Sequence, residues 1–369
     1  MNVTYIILIY AIICICMIIF NASAIILGKG NNKINNIKLK KYKEKIKEQF
    51  VLLSENKPVT KEHKKYLKRK LLNSNNFLTY DNIVTNYIKK EEQYIKPYLD
   101  ECREVFEELL YKYDKKNNIE KAFCIKSIKE YGVFIHNNVV AVEDVLFENL
   151  NDESIYCRDN AYLAICSMEE AVRIIEALKI ISNSEKYFHK NIITIGLNSY
   201  QGNSDKLLDG LFNNFSKFSL DIKCCIIEYA TYFDNKYSKH ILELLLNKKT
   251  PRILKINCIK YFEYVYYKPA GPILVAYTYK YLDYDNDMCY HTVKSLRNYE
   301  SKNSIKAIEK SIYSADFRIR DIACESLAFI RLGLDSKEID NIFEQESEIL
   351  EIYDYHFQKN RSKSSGEVR

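Results

Sequence analysis

The stretches YCRDNAYLAI (residues 156–165) and RIRDIACESLAFI (residues 318–330) share one pattern, in which an apolar residue precedes Arg-Asp-x-Ala and further apolar residues follow at helical spacing. Cys157 and Ile319 occupy the apolar position that opens the pattern, which we name the slot. Four equivalent residues lie between them, and the six slots are 31, 34, 32, 34 and 31 residues apart. The intermediate slots are Phe188, Ile222, Leu254 and Met288. Recurrence at this period predicts stacked units that bury an apolar face against one another.

Each repeat contains a second apolar run upstream of its slot, and a short polar turn separates the two. Such runs occupy residues 142–150, 207–215, 241–246 and 305–312, and the turns include residues 151–154, 247–251 and 314–316. Asp and Ser in these turns favour a helix start, and Pro251 suits a first helical turn. With 9 Gly and 5 Pro in 369 residues, strands with frequent turns are not expected. The sequence therefore predicts an all-α chain whose paired helices form an α-solenoid over residues 118–357.

The polar turn followed by the apolar-Arg-Asp-x-Ala helix resembles the HEAT-repeat family, in particular its short bacterial form. The resemblance covers roughly the last two-thirds of the chain and is closest around Cys157 and Ile319, whereas His189 and Cys289 replace the arginine in two units. It implies a right-handed α-solenoid of HEAT-like helical hairpins whose second helices line a concave surface. It also implies binding of other proteins, because the family serves mostly as a platform for such binding, and it implies no reaction.

Residues 5–27 form an uncharged run of 23 residues, which is long enough to cross a bilayer as a single helix. Eight lysines against two glutamates follow in residues 29–48, and this bias predicts that the rest of the chain is cytoplasmic. The alternative is a cleaved signal peptide, because Ala22-Ser23-Ala24 resembles a cleavage site. The length of the run and the absence of basic residues before it favour a single-pass anchor in the cell membrane. The predicted organisation is an anchor (1–28), a basic helical stalk and cap (29–117), the solenoid (118–357) and a disordered tail (358–369).

The positive charge of the chain is concentrated beside the apolar run. The net charge of +6 equals that of residues 29–48, so residues 49–369 sum to zero. A neutral solenoid does not predict nucleic-acid binding, whereas lysines beside a membrane attract anionic headgroups. The expected partners are therefore other proteins, together with membrane lipid contacted through residues 5–27 and the adjacent lysines. Eleven cysteines without a CxxC pair are typical of buried apolar residues in a reducing compartment.

The sequence lacks the common motifs of catalytic chemistry. It contains no glycine-rich phosphate loop, no HExxH, no GxSxG and no zinc-spaced cysteine pair. The acidic turn at residues 283–287 begins like a calcium loop, but Met288 stands where that loop needs glycine and Lys294 where it needs glutamate. We therefore expect no metal, no cofactor and no enzymatic activity. The alternatives are an enzyme on a HEAT-like fold, of the DNA-glycosylase or lyase kind, and an adaptor for a membrane-bound glycosyltransferase or other envelope enzyme.

Residues 261–267 predict a protein-binding surface, because they place aromatic side chains on every side of a helix end. A single buried stripe cannot absorb all of them, so some are expected at the surface, although core packing with a helix break explains the segment equally well. Together with lysines of successive second helices, the tyrosines are predicted to form one continuous surface. This predicted surface consists of Lys223, Lys255, Tyr261, Tyr264, Tyr266 and Tyr267.

The arginines that follow the slots have two interpretations. Arg158 and Arg320 can line an anion-binding groove, or they can pair with turn aspartates of adjacent units and so link the repeats. The second interpretation is favoured, because Asp152 and Asp316 are available as partners. These four residues are therefore predicted to form a structural ladder.

Overall fold

The computed structural model describes residues 17, 37–135, 140–333 and 347–366, and over these residues the chain is helical and contains no β-strand. The α-helices are α1 (37–54), α2 (Lys61–Lys70), α3 (Ser74–Lys89), α4 (Ile95–Glu101), α5 (Arg103–Asp114), α6 (Asn118–Glu130), α7 (Val140–Asn149), α8 (Ile155–Cys166), α9 (Ala171–Asn183), α10 (Lys190–Ser199), α11 (Ser204–Asn213), α12 (Leu220–Ala230), α13 (Ser238–Leu246), α14 (Arg252–Tyr264), α15 (Gly271–Tyr281), α16 (Asn286–Leu296), α17 (Lys302–Ile312), α18 (Phe317–Gly333) and α19 (Ser347–Gly366). Short 3-10 helices lie at Phe215–Lys217, Asn235–Tyr237 and Lys268–Ala270. The all-α prediction is confirmed over this part of the chain.

The polar turns set where the helices begin and end. Asn117, Asn203, Asp285 and Ser301 cap α6, α11, α16 and α17, and each side-chain oxygen accepts a hydrogen bond from the backbone N–H three residues later. Such caps satisfy backbone donors that have no partner inside the helix. After α6, Gly132 adopts a left-handed φ of +74°, which residues with a Cβ rarely adopt.

The chain divides into two compact units, Met1–Ala177 with Ser199–Gly202 and Leu178–Asn198 with Asn203–Arg369. In the first unit α2 packs on α5, α3 packs on α4 and α6, and α8 packs on α6 and α7. α5 also contacts α4, α6 and α7. In its core, Tyr98 Oη lies 2.9 Å from His63 Nε2 and 3.0 Å from Tyr80 Oη. These hydrogen bonds satisfy polar groups that burial would otherwise leave unpaired.

The second unit consists of successive helix pairs. The two helices of each pair contact each other, as α11 does with α12, α13 with α14, α15 with α16 and α17 with α18. Each second helix also contacts the second helix of the next pair, from α12 to α14, α16 and α18. α15 likewise packs on α17, and α19 packs on α18. This packing of neighbouring helix pairs is consistent with the predicted helical solenoid.

The slot residues occupy equivalent places in five of the six predicted units. In these five units the slot residue is the third residue of its helix and is at most 3% exposed. The five residues are Cys157, Ile222, Leu254, Met288 and Ile319. Phe188 is also buried, but it lies two residues before α10. His189 causes this difference: its Nδ1 accepts a hydrogen bond from the backbone N–H of Asn191 at 3.1 Å. His189 thereby caps the helix, so α10 begins only after it.

The structure describes the C-terminal end of the chain but almost none of the predicted N-terminal anchor. No helix within the described ranges is both long and apolar enough to cross a membrane, and the predicted anchor at residues 5–27 lies outside those ranges apart from Met17. At the other end, α19 stays helical to Gly366, although a disordered tail was predicted from residue 358. Tyr353 is buried, and His356 Nε2 lies 2.8 Å from Asp321 Oδ1 of α18. These contacts with α18 hold the part of α19 that precedes residue 358.

Candidate protein-binding surface

The arginines that follow the slots hold the turns that precede their own helices. Arg158 Nη1 donates hydrogen bonds to the carbonyls of Asp152 at 2.9 Å and Glu153 at 3.0 Å. Arg320 Nη1 makes the same two bonds, to the carbonyls six and five residues before it, at 3.0 and 3.2 Å. The shared geometry explains why arginine recurs at this place in the repeat. The pairing of these arginines with aspartates of adjacent units stays a prediction.

Adjacent second helices are linked by other donors. Lys121 Nζ of α6 lies 2.5 Å from Asp152 Oδ2, in the turn before α8. Asn286 Nδ2 of α16 donates to Asp316 Oδ2, in the turn before α18, at 2.6 Å. Lys121 and Asn286 therefore link adjacent units at Asp152 and Asp316.

The acidic turn at residues 283–287 makes a further link between adjacent units. Arg252 of α14 donates to both carboxylate oxygens of Asp285, at 2.7 and 2.6 Å, and to Asp287 at 3.0 Å. The bonds from Arg252 hold the pKa of the Asp285 carboxyl below its ordinary value, against the opposing effect of burial. Arg318 of α18 lies 3.5 Å from Asp287. Within the described ranges, no three His, Cys, Asp or Glu side chains are grouped so that they could hold a metal ion.

The predicted surface residues divide into core and surface. Tyr261 is 1% exposed, and its hydroxyl lies 2.9 Å from the buried Ser238 hydroxyl. Tyr264 and Tyr266 are exposed, at 67% and 57%, whereas Tyr267 is half-buried. The assignment of Tyr261 to a binding surface is therefore wrong, because its position on α14 faces the core of the second unit.

The two predicted lysines lie apart from these tyrosines. Lys255 precedes Tyr264 by nine residues of α14, which corresponds to about 2.5 helical turns and about 13 Å along the axis. The two side chains therefore point to opposite sides of the helix. Lys223 of α12 is half-buried, and its Nζ lies 5.9 Å from the centre of the Phe215 ring. One continuous surface of lysines and tyrosines does not form.

A different set of aromatic residues shares one position in the repeat. The residue ten places after the slot is Tyr232 just beyond α12, Tyr264 at the end of α14 and Phe329 in α18. These three residues, which we name the aromatic row, are 69%, 67% and 48% exposed. Asn298 takes this position after α16, and its Nδ2 donates to the carbonyl of Glu263. Because the four second helices pack in succession, the row follows one edge of the second unit.

Two hollows open beside the aromatic row. The larger encloses about 590 Å³ and the smaller about 440 Å³, and Tyr266 forms a wall of both. The larger hollow is lined by residues that include Tyr266, Lys268, Pro272, Asn298, Tyr299 and Glu300. The smaller is lined by residues that include Tyr232, Phe233, Asp234, Asn235, Tyr264 and Tyr266. Exposed tyrosines therefore stand between concave sites that can receive side chains.

Buried charge ties the helix ends together beside the row. The Glu263 carboxylate is buried, and its Oε1 lies 2.6 Å from Lys294 Nζ and 3.5 Å from Arg297 Nη2. Burial lowers the pKa of Lys294, but the hydrogen bond and charge of Glu263 outweigh it, so the pKa is raised. The Arg297 guanidinium lies 5.3 Å from the centre of the Phe329 ring. These contacts connect α14, α16 and α18 next to the aromatic row.

Sequence reasoning identified Tyr264 and Tyr266 but missed Tyr232 and Phe329. A count of ten residues from each slot reaches both, but the position is aromatic in only three of the six repeats, since Ser167, Asn198 and Asn298 occupy it in the others. Neither the models of known protein families nor the curated proteins give a match to this chain. The aromatic row and the two hollows are therefore the observations from which a function can be argued.

Proposed function

We propose that this chain is a membrane-anchored, cytoplasm-facing scaffold, a HEAT-like α-solenoid that binds another protein through the aromatic row and its two hollows. The supporting observation is that three of four successive second helices, α12, α14 and α18, carry an exposed aromatic side chain at the same position of the repeat. Single exposed apolar residues are common on proteins, but an ordered row of them marks an interaction site. Tyrosine suits such a site because it combines rigid apolar contact area with a hydroxyl that forms hydrogen bonds.

The hollows favour an extended segment of the partner. Because the two share Tyr266 as a wall, side chains of one segment can enter both. Exposed tyrosine hydroxyls around them can donate hydrogen bonds to the carbonyls of that segment. Asp234 and Glu300 each contribute a carboxylate to one hollow, whereas Lys268 contributes the cation of the larger one. The partner segment is therefore proposed to be apolar with neutral to basic flanking residues.

Residues 5–27 supply the membrane attachment in this proposal, and the lysines that follow them keep the scaffold on the cytoplasmic side. Attachment would confine the aromatic row to the membrane surface, where a membrane-bound partner is concentrated. The two alternatives stay predictions from the sequence, and they are an enzyme on the same fold and an adaptor for a membrane-bound glycosyltransferase or other envelope enzyme.

A site-specific photocrosslinker tests the binding surface in the native membrane. We expect a benzophenone amino acid at position 264 to capture a protein partner, which mass spectrometry would identify together with the crosslinked segment. The same amino acid at position 284 is the control, because Tyr284 is also strongly exposed but lies in the acidic turn at the opposite ends of the helices. Equal capture at both positions would contradict the assignment of the surface.

Substitution then measures how much the row contributes to binding. Tyr232→Ser, Tyr264→Ser and Tyr266→Ser together should weaken capture of that partner well over tenfold, because each aromatic anchor often contributes more than about 1 kcal/mol. The matched control replaces three other exposed tyrosines, Tyr156, Tyr284 and Tyr313, by serine. Retained capture by the first variant, with far-UV circular dichroism showing an intact fold, would sink the proposal.

A further inference from the structure

The basic charge of the chain is concentrated in the hairpin of α1 and α2. Residues 37–70 contain 13 basic and 4 acidic side chains, which gives a net charge of +9. Residues 71–369 contain 40 basic and 45 acidic side chains, a net charge of −5. The hairpin is therefore strongly cationic, whereas the chain after it is mildly anionic.

The two helices of the hairpin form one surface. The rings of Tyr42 in α1 and Tyr66 in α2 have their centres 6.0 Å apart, and Lys45 Nζ lies 4.7 Å from the centre of the Tyr66 ring. Near the connecting loop, the backbone N–H of Thr60 donates to Gln49 Oε1 at 3.0 Å. Tyr42 of α1 is buried, whereas Lys41 is exposed and Lys38 and Lys45 are half-buried.

The cations of the hairpin fall into two groups. Lys64 and Lys68 point toward α4 and α5, where they lie 3.1 Å from Glu101 and 2.7 Å from Glu108. A second group has no ion pair with any residue in the described ranges. It has nine members, and we name five of them, which lie on adjoining stripes of α1 and α2, the basic face: Lys38, Lys41, Lys45, Lys65 and Arg69.

Helical spacing places the members of the basic face on adjoining stripes. Lys38, Lys41 and Lys45 are separated by three and four residues along α1, and Lys65 and Arg69 by four along α2. Tyr66 lies between the two stripes, with Lys45 against its ring and Arg69 one turn away on its own helix. Five cations without an ion pair in the described part of the chain, with the amphipathic Tyr66 among them, form a surface for a polyanion.

We propose that the basic face binds the headgroups of anionic lipids and holds the first unit against the membrane, an inference that rests on the proposed anchor. Only residues 28–36 separate the end of the apolar run from α1, so the start of α1 lies within about 30 Å of the bilayer surface. The cytoplasmic leaflet carries anionic lipids, which attract lysine and arginine within roughly a Debye length of the surface. Tyrosine is enriched at the interface between membrane and water, and Tyr66 would lie at this interface. A nucleic acid offers the same charge, but the tether places lipid, not nucleic acid, beside the face.

Lysine acylation of the full chain in lipid nanodiscs tests the inference. We expect Lys41 and Lys65 to react at least threefold more slowly in discs that contain phosphatidylserine than in discs of phosphatidylcholine alone. Lys248 and Lys249, exposed in the turn before α14, should react at the same rate in both. Salt at about 1 M, which shortens the Debye length to about 3 Å, should remove the difference. Equal rates at Lys65 in both discs would overturn the inference.

A charge-matched pair of variants separates the basic face from net charge. Lys41→Gln with Lys45→Gln and Arg69→Gln should abolish the slower reaction at Lys65, whereas Lys206→Gln with Lys248→Gln and Lys249→Gln should keep it. Loss in both variants would mean that net charge alone acts, against a defined face. Slower reaction with an RNA duplex but not with anionic lipid would likewise overturn the inference. Retention of the chain in neutral discs after a salt wash tests the anchor separately, since the basic face has no anionic lipid there.

Discussion

Tyr261→Ala should strongly destabilise the second unit, whereas Tyr264→Ala, three residues later in α14, should not. The Tyr261 ring packs edge-on against Phe262 at 5.2 Å, and its hydroxyl bonds Ser238. Removal of a buried aromatic side chain costs about 3–5 kcal/mol, and the buried Ser238 hydroxyl left without a partner adds about 1 kcal/mol or more. Tyr264 is largely exposed, so its truncation should change the free energy of unfolding by less than about 0.5 kcal/mol.

Thermal unfolding of the full chain in detergent, followed by far-UV circular dichroism, measures this contrast. For a unit of this size, 1 kcal/mol shifts Tm by about 2–4 °C, so Tyr261→Ala should lower it by about 10 °C or more. Tyr261→Phe removes only the hydrogen bond and should lower Tm by about 4 °C. Because two units can unfold separately, hydrogen exchange in α13 and α14 should confirm where the loss occurs. A Tm loss in Tyr264→Ala equal to that in Tyr261→Ala would refute this division of α14 into core and surface.

Two further predictions concern acid stability and topology. Burial, helped by the charge of Lys45, lowers the pKa of His63 from 6.5 to about 4, so the unfolded state binds a proton more readily than the native state. The contribution of His63 to the free energy of unfolding is complete above pH 6.5 and falls by about 2 kcal/mol between pH 7 and 5. In urea unfolding, His63→Gln should remove this loss of stability at low pH. The control His240→Gln, at an exposed histidine, should retain the loss. Protease added outside intact cells should leave residues beyond 49 uncut, because the lysines after the apolar run hold them inside, and digestion there would reverse the proposed topology.

The repeat was readable from the sequence because each second helix buries the same apolar position. Five slots lie at the third residue of a helix, so the period of roughly 32 residues translated directly into structure. Phe188 kept its burial but lost its place in the helix, because His189 caps α10 and no count of apolar residues registers a capping bond. The same limit applies to α19, because contacts with α18 such as that between His356 and Asp321 are not visible in the sequence.

The predicted protein-binding surface was harder to predict, because the sequence does not show which tyrosines are buried and which are exposed. The excess of aromatics at residues 261–267 correctly required exposed members, and Tyr264 and Tyr266 are exposed. Tyr261 could not be separated from them without the helix orientation. For a related reason the sequence shows that a cation and an acid are available near Arg158, but not that its guanidinium also donates to the backbone carbonyls of its own turn.

The spacing of the aromatic row also indicates the backbone conformation of a partner. Packed helices lie about 8–10 Å apart, so Tyr232 and Tyr264 on adjacent second helices repeat at about that distance. A β-strand presents side chains to one face every 6.7 Å or so, which is shorter than the spacing of about 8–10 Å between the helices. A polyproline II segment rises about 3.1 Å per residue and repeats every three residues, so its side chains return to one face every 9 Å or so. This repeat matches the spacing of the helices. Asn298 interrupts the row after α16, and it lines the larger hollow. A partner side chain at this position of the row would therefore enter the hollow instead of contacting an aromatic ring. A partner segment that presents every third side chain to the row, with a bulky residue at the third step, therefore fits this edge better than an added strand.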